Sequence, residues 1–217
     1  MLRQFVAAVS AGIMIAIGGC VYLAAESRVV GAVFFSVALL SICYKGYGLF
    51  TGRVGYFPER FSLPELEGLG MTLLGNAVAT IAIGTAVCYL MPAVGGGTAL
   101  STVAAVAVGG KLAMPWYSVL LRAVLCGILM YLAVSIYREK NTVSGIFFCV
   151  PTFILAGFEH SIADMFYVAA AGELTLDALA FLVLVIGGNA IGGMLLPLLS
   201  MIGKEKETAP KTEEAAE

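Results

Sequence analysis

Charged side chains are scarce in this chain: Asp, Glu, Lys and Arg together make up 12% of its 217 residues. Soluble domains carry about 25%, so this shortage, with a hydrophobic share of 60% and a mean hydropathy of +0.98, excludes an ordinary soluble fold. There is one histidine, so no second imidazole is available for paired histidine chemistry. The five cysteines (Cys20, Cys43, Cys88, Cys126 and Cys149) form no Cys-x-x-Cys pair, and none has a histidine at ligand spacing. They read as small apolar packing residues, and neither a metal nor any other cofactor is expected. The net charge of −2 identifies no partner, and nucleic acid is not expected among them.

Long apolar runs are what the chain does have. They cover about 5–25, 29–50, 69–91, 115–137, 143–171 and 176–200, each long enough for a helix of about 20 residues to cross the hydrocarbon core. The expected fold is an all-α membrane protein with six transmembrane helices. Residues 1–203 form one membrane domain, and 204–217, rich in both signs of charge, form a disordered tail. The first run begins at Phe5 with no small-residue cleavage site before the next, and reads as a retained helix. Between 92 and 115 an apolar stretch over 99–108 is too short to span. It is expected to be a short surface helix ending just before Lys111. Residues 53–67 read as a connector. With the N-terminus inside, eight basic residues (Arg3, Arg53, Arg60, Arg138, Lys140, Lys204, Lys206 and Lys211) fall on the cytoplasmic side. Only Arg28 and Lys111 fall outside, with Lys45 and Arg122 within runs. Both termini are therefore expected in the cytoplasm.

The fifth run is interrupted by Gly157-Phe158-Glu159-His160-Ser161-Ile162-Ala163-Asp164-Met165. It sets the single histidine between two carboxylates at a place where ionisable groups are costly. Groups that persist there face a water-filled path, a partner or an ion; the plainer alternative is a histidine satisfied by neighbouring backbone. A second polar interruption, Gly48-Leu49-Phe50-Thr51-Gly52, ends the second run. Thr51 and His160 lie 109 positions apart. The histidine is a group whose ordinary pKa, near 6.5, allows it to change charge in the physiological range.

These segments carry a resemblance. Gly157 to Met165 is similar to the Gly-Phe-Glu-His-Ser-Ile-Ala-Asn-Met signature of the formate/nitrite transporter family of pentameric anion channels. Gly48-Leu49-Phe50-Thr51-Gly52 resembles that family's Glu-Leu-Phe-Thr-Gly loop, and Gly187-Gly188-Asn189-Ala190-Ile191-Gly192-Gly193 its Gly-Asn-x-x-Gly-Gly pattern. The resemblance covers roughly residues 5–200. It implies two inverted three-helix repeats with broken second and fifth helices, an aquaporin-like layout whose breaks meet near the midplane. No residue-level similarity between the halves is evident, so the repeat rests on layout and on the resemblance.

The resemblance also implies roles. His160 would handle the proton or supply a hydrogen bond, Thr51 would lie opposite it, and Lys111 would attract anions, balanced by Glu159 or Asp164. Phe35, Leu39 and Phe153 would match the pore constrictions, with Leu49 and Phe50 flanking the threonine. Four positions depart from the family: Gly48 replaces an acidic residue, Lys45 adds a cation, and Asp164 and Gly127 each replace an asparagine. The cytoplasmic helix that precedes the first span in relatives is also not expected here.

The expected function is a channel or facilitator for small monovalent anions of weak acids (formate, nitrite, hydrosulfide or similar) in the plasma (inner) membrane. It would be coupled to protons at His160, embedded in lipid and assembled as a homopentamer. Three alternatives stand beside it. One is a diverged pore for a neutral or cationic solute, marked by Lys45, Asp164 and Gly127. Another is a non-conducting structural or signalling protein. The third is an intramembrane enzyme, which lacks a plausible nucleophile and is not expected.

Overall fold

A computed structural model describes residues 1–93 and 97–208, with side chains described through Gly203. The ordered elements among them are helical: α1 (Leu2–Ala24), α2 (Arg28–Lys45), α3 (Phe50–Arg53), α4 (Leu63–Leu90), α5 (Leu100–Leu112), α6 (Trp116–Lys140), α7 (Ser144–Leu155), α8 (Ser161–Ala171) and α9 (Leu176–Thr208). Two 3₁₀ turns, Val54–Tyr56 and Pro58–Arg60, join α3 to α4. Five helices, α1, α2, α4, α6 and α9, are long and apolar enough to cross a membrane. The fifth run divides into α7 and α8, each shorter than a crossing. Gly157, at φ +69°, turns the chain out of α7, and His160 starts α8. The second run divides likewise, where Gly46 ends α2 at φ +66°.

The bundle forms from two matching sets. In one, α1 packs on α4 and α2; in the other, α6 packs on α9 and α7. Close approach at these contacts depends on small residues, which let backbones meet where lipid supplies no hydrophobic drive. A Cβ on Gly75 would lie 2.7 Å from Ala8 Cβ, and one on Gly188 would lie 2.5 Å from Ala123 Cβ. Side chains such as Val29, Phe34, Phe148 and Leu179 remain exposed on the outside, as a lipid-facing surface requires.

Three boundaries differ from the sequence expectation. α4 starts at Leu63, within the segment read as a connector, because Ser62 caps it by accepting from the Glu65 N–H at 3.3 Å. α5 runs through Lys111 rather than stopping before it, and packs against α8. α9 continues through Thr208 into the segment read as tail, whose alternating Lys and Glu are good helix formers; 209–217 lie outside the described residues.

Candidate functional site

Each interruption is held by one asparagine. At the first, Asn76 on α4 accepts from the Phe50 N–H through Oδ1 (2.9 Å) and donates from Nδ2 to the carbonyls of Ala8 and Gly48 (2.8 Å each). At the second, Asn189 on α9 accepts from the Ser161 N–H (2.8 Å) and donates to the carbonyls of Ala123 and Glu159 (2.8 Å each). Both asparagines are fully buried. Each satisfies the backbone groups that an interrupted helix leaves open in a place without water. Arg122 on α6 adds to the second break by donating to the Gly157 carbonyl at 2.7 Å.

The residues that start the two short helices face one another. Leu49 is the N-cap of α3, and His160 is the N-cap of α8. Thr51 Oγ1 lies 2.9 Å from His160 Nε2, across 109 positions of sequence. His160 Nδ1 accepts from the Ala163 N–H at 3.1 Å, so that nitrogen carries no proton. The neutral ring then bears its hydrogen on Nε2 and donates it to Thr51. The ring of Phe153 stacks on the imidazole at 5.6 Å, and Phe35 meets Phe153 edge-on at 6.5 Å.

Two cavities lie on either side of this contact. The first, of about 300 Å³, is lined by Lys111, Glu159, Asp164, His160, Phe35 and Phe153, among others. Arg28 and Arg122 also reach it. The second, of about 250 Å³, is lined by Leu39, Leu49 and Gly48 and by Arg53, Arg60 and Arg138. Phe35 and Leu39, one turn apart on α2, therefore belong to opposite cavities. Phe35, Leu39, Leu49, Phe153, Thr51 and His160 are all buried, with Thr51 and His160 in contact. An ion placed there would have lost its water, at a large cost unless partnered or neutralised.

The candidates from sequence do not all assemble as expected. Lys111, expected to be balanced by Glu159 or Asp164, is paired with both: its Nζ contacts Glu159 Oε2 and, at 3.0 Å, Asp164 Oδ1. Phe50 lines neither cavity; it is buried at the start of α3, where its N–H is bound to Asn76. Lys45 is exposed at the end of α2 and lines neither cavity. Gly48 has room for a Cβ, with no atom nearer than 3.5 Å to one built there. Gly127 has none, because a Cβ would overlap the Asn189 carbonyl oxygen.

Asn76, Arg122 and Arg53 were missed by the sequence reading. Arg53 contacts Thr72 at 3.1 Å and Glu65 at 3.3 Å beside the second cavity. Arg122 carried a readable signal, a charge inside an apolar run. Asn76 carried a better one, because Gly75-Asn76-Ala77 repeats as Gly188-Asn189-Ala190.

Comparison with known proteins agrees with this architecture. Residues 1–202 match the family model for formate/nitrite transporters. An uncharacterized transporter of Bacillus subtilis (strain 168) is 28% identical over 202 residues, covering 86% of this chain and 76% of its own. A probable formate transporter of Methanothermobacter thermautotrophicus is 28% identical over 204 residues, covering 80% and 74%. Among solved structures, a pentameric formate channel with formate bound superposes with a TM-score of 0.76 at 21% identity, covering 94% of this chain and 97% of that one. With the match running from the first helix to the last, this multi-pass membrane protein belongs to the formate/nitrite transporter family.

Proposed function

We propose that the chain conducts small monovalent anions of weak acids, with formate, nitrite and hydrosulfide as the leading candidates. The observation that carries this reading is the Thr51–His160 contact, buried between two cavities that each contain cationic side chains. An anion drawn in by that positive charge meets an apolar barrier whose polar groups are Nε2–H and the Thr51 hydroxyl bound to it. A bare ion would cross it at high cost, whereas the neutral acid exchanges its hydrogen bonds with Nε2–H and the Thr51 hydroxyl. Proton coupling at His160 is thus part of the proposal: the solute passes the imidazole as an acid.

The remaining arrangement follows the same reading. α7 and α8 together form the sixth crossing, and the two asparagine-held breaks are equivalent points of two inverted repeats. The termini face the cytoplasm, as the excess of basic residues on that side requires, with the Lys111 cavity outside, in the plasma (inner) membrane. Five copies assemble in lipid, each with its own path, as in the pentameric relative of like fold.

The test is flux in liposomes containing the purified protein. Formate, nitrite and hydrosulfide are supplied in turn, with and without an inward proton gradient, against empty vesicles. Entry of at least one anion, accelerated by external acid, is the expected result. No entry above the empty-vesicle rate for any of them would sink the proposal.

A further inference from the structure

The Lys111 cavity contains more carboxylates than its lysine can neutralise. Glu159 and Asp164 are the only buried carboxylates among the described residues, 2% and 1% exposed. Both are paired with the one ammonium of Lys111. The second oxygen of Asp164, Oδ2, is buried and has no hydrogen-bond partner. Asp164 also lines the cavity beside His160.

Among the described residues no second cation is in contact with the pair. Arg122, on α6, is bound to the Gly157 carbonyl and to Ser118 Oγ, and Arg28, at the start of α2, is exposed. Tyr22 on α1 and Tyr167 on α8 line the same cavity as neutral side chains, and His160 has Nδ1 bound as the cap of α8. Cys126 on α6 and Cys20 on α1 are free thiols nearby. Among the described residues, α3, α4 and α9 contribute no titratable side chain to the cavity. One excess negative charge would therefore be left on two carboxylates that are almost wholly buried, where an uncompensated ion is unstable. A proton on the pair removes it, and the unpartnered Oδ2 is an oxygen not engaged elsewhere that can carry the O–H.

We propose that Glu159 and Asp164 together hold one proton above Lys111 and hand it to the weak-acid anion that enters the cavity. In this step the carboxyl O–H bond breaks and an O–H bond forms on the anion. The negative charge stays on the carboxylate beside Lys111, and the neutral acid moves on toward His160. A proton from the solution, relayed by water in the cavity, then returns to the pair. The inference rests on the anion reading above and names its proton donor. With asparagine at position 164, as the family pattern has it, one carboxylate would face one lysine and no proton would be stored. The store is thus a property of Asp164 in this chain.

Infrared difference spectroscopy of the full-length protein in lipid tests the store without any substrate. A protonated carboxyl absorbs apart from carboxylates, and its band shifts on deuteration. The band is expected at neutral pH in the unmodified protein. It should vanish in both Asp164→Asn and Glu159→Gln, since either change restores one carboxylate to one lysine, and grow in Lys111→Gln, which leaves two carboxylates without a cation. Absence of the band from the unmodified protein, or its persistence in Asp164→Asn, overturns the store even if no variant conducts. Delivery is read from formate uptake against external pH. Asp164→Asn should flatten the acid stimulation relative to the unmodified protein, and an unchanged profile overturns delivery. Failure of the unmodified protein to move any anion would count against the channel reading instead, leaving the infrared result to stand by itself.

Discussion

Gly127 lies against Asn189 so closely that the glycine is part of the asparagine's seat. A side chain on α6 at that point would overlap the Asn189 carbonyl. Gly12 bears the same relation to Asn76, with a Cβ there falling 2.7 Å from the Asn76 carbonyl oxygen. The opposing atoms are backbone at Gly127 and backbone together with the Ala79 Cβ at Gly12, and none of these inside a helix pair has much room to yield. We predict that Gly127→Ala and Gly12→Ala each lower stability by about 1–3 kcal/mol, the usual range for overpacking. Thermal unfolding of the detergent-solubilised protein checks this; midpoints equal to that of the unmodified protein would contradict it.

Asn189→Ala removes three buried hydrogen bonds at once. Each backbone group left unpaired costs about 1–3 kcal/mol, so the break after α7 is expected to lose its shape. Flux should fall to the empty-vesicle level, with a lower unfolding temperature. Asn76→Ala should behave alike at the other break. If one variant proved neutral while the other was lost, the two sites would not be equivalent.

His160→Asn separates folding from transport. Asparagine is among the best N-caps and can accept from the Ala163 N–H as Nδ1 does now. α8 is thus expected to remain intact, while the donor to Thr51 and the ring stacked on Phe153 disappear. Assembly measured by size-exclusion should be unchanged, and proton-stimulated anion uptake should be abolished. Unaltered pH dependence in this variant would remove His160 from proton coupling.

Lys111→Gln should do more than weaken long-range attraction. Sequence alone predicts a salt-sensitive loss, since exposed fields are screened over about 8–10 Å. Paired as it is with two buried carboxylates, Lys111 compensates their charge, so uptake should be lost at high and low ionic strength alike. Adding Glu159→Gln to Lys111→Gln should restore part of it. Rescue by low salt alone would instead mean that the lysine acts only through its field.

Much of this was readable from the chain. Apolar length located the five crossing helices, and the single histidine in an apolar run marked the site. Thr51 and His160 could be expected to meet only because the resemblance implied inverted halves. The internal repeat itself was present but dispersed. Ala8-Val9 and Gly12-Ile13 recur as Ala123-Val124 and Gly127-Ile128, 115 positions on, while Gly75-Asn76-Ala77 recurs 113 positions on. Connections of different length shift the offset from segment to segment, so a fixed-period comparison misses matches only a few residues long. Pairing of Lys111 with both carboxylates was not legible, because α5 had to extend through Lys111 and pack on α8 for one ammonium to reach both. The exclusion of a side chain at 127 was hidden for a similar reason: it depends on how near α9 comes to α6.

The cap on α8 bears on leakage. A histidine relays protons along a chain of water by taking one at one ring nitrogen and releasing one from the other. Here Nδ1 is occupied by the Ala163 N–H, so the ring has a single working face and the relay is broken. On the proposed path, hydronium alone finds no conductor through the barrier, and a proton crosses only as part of the acid it neutralises. A cell with this protein in its energised membrane could therefore exchange weak acids without short-circuiting the gradient that drives them.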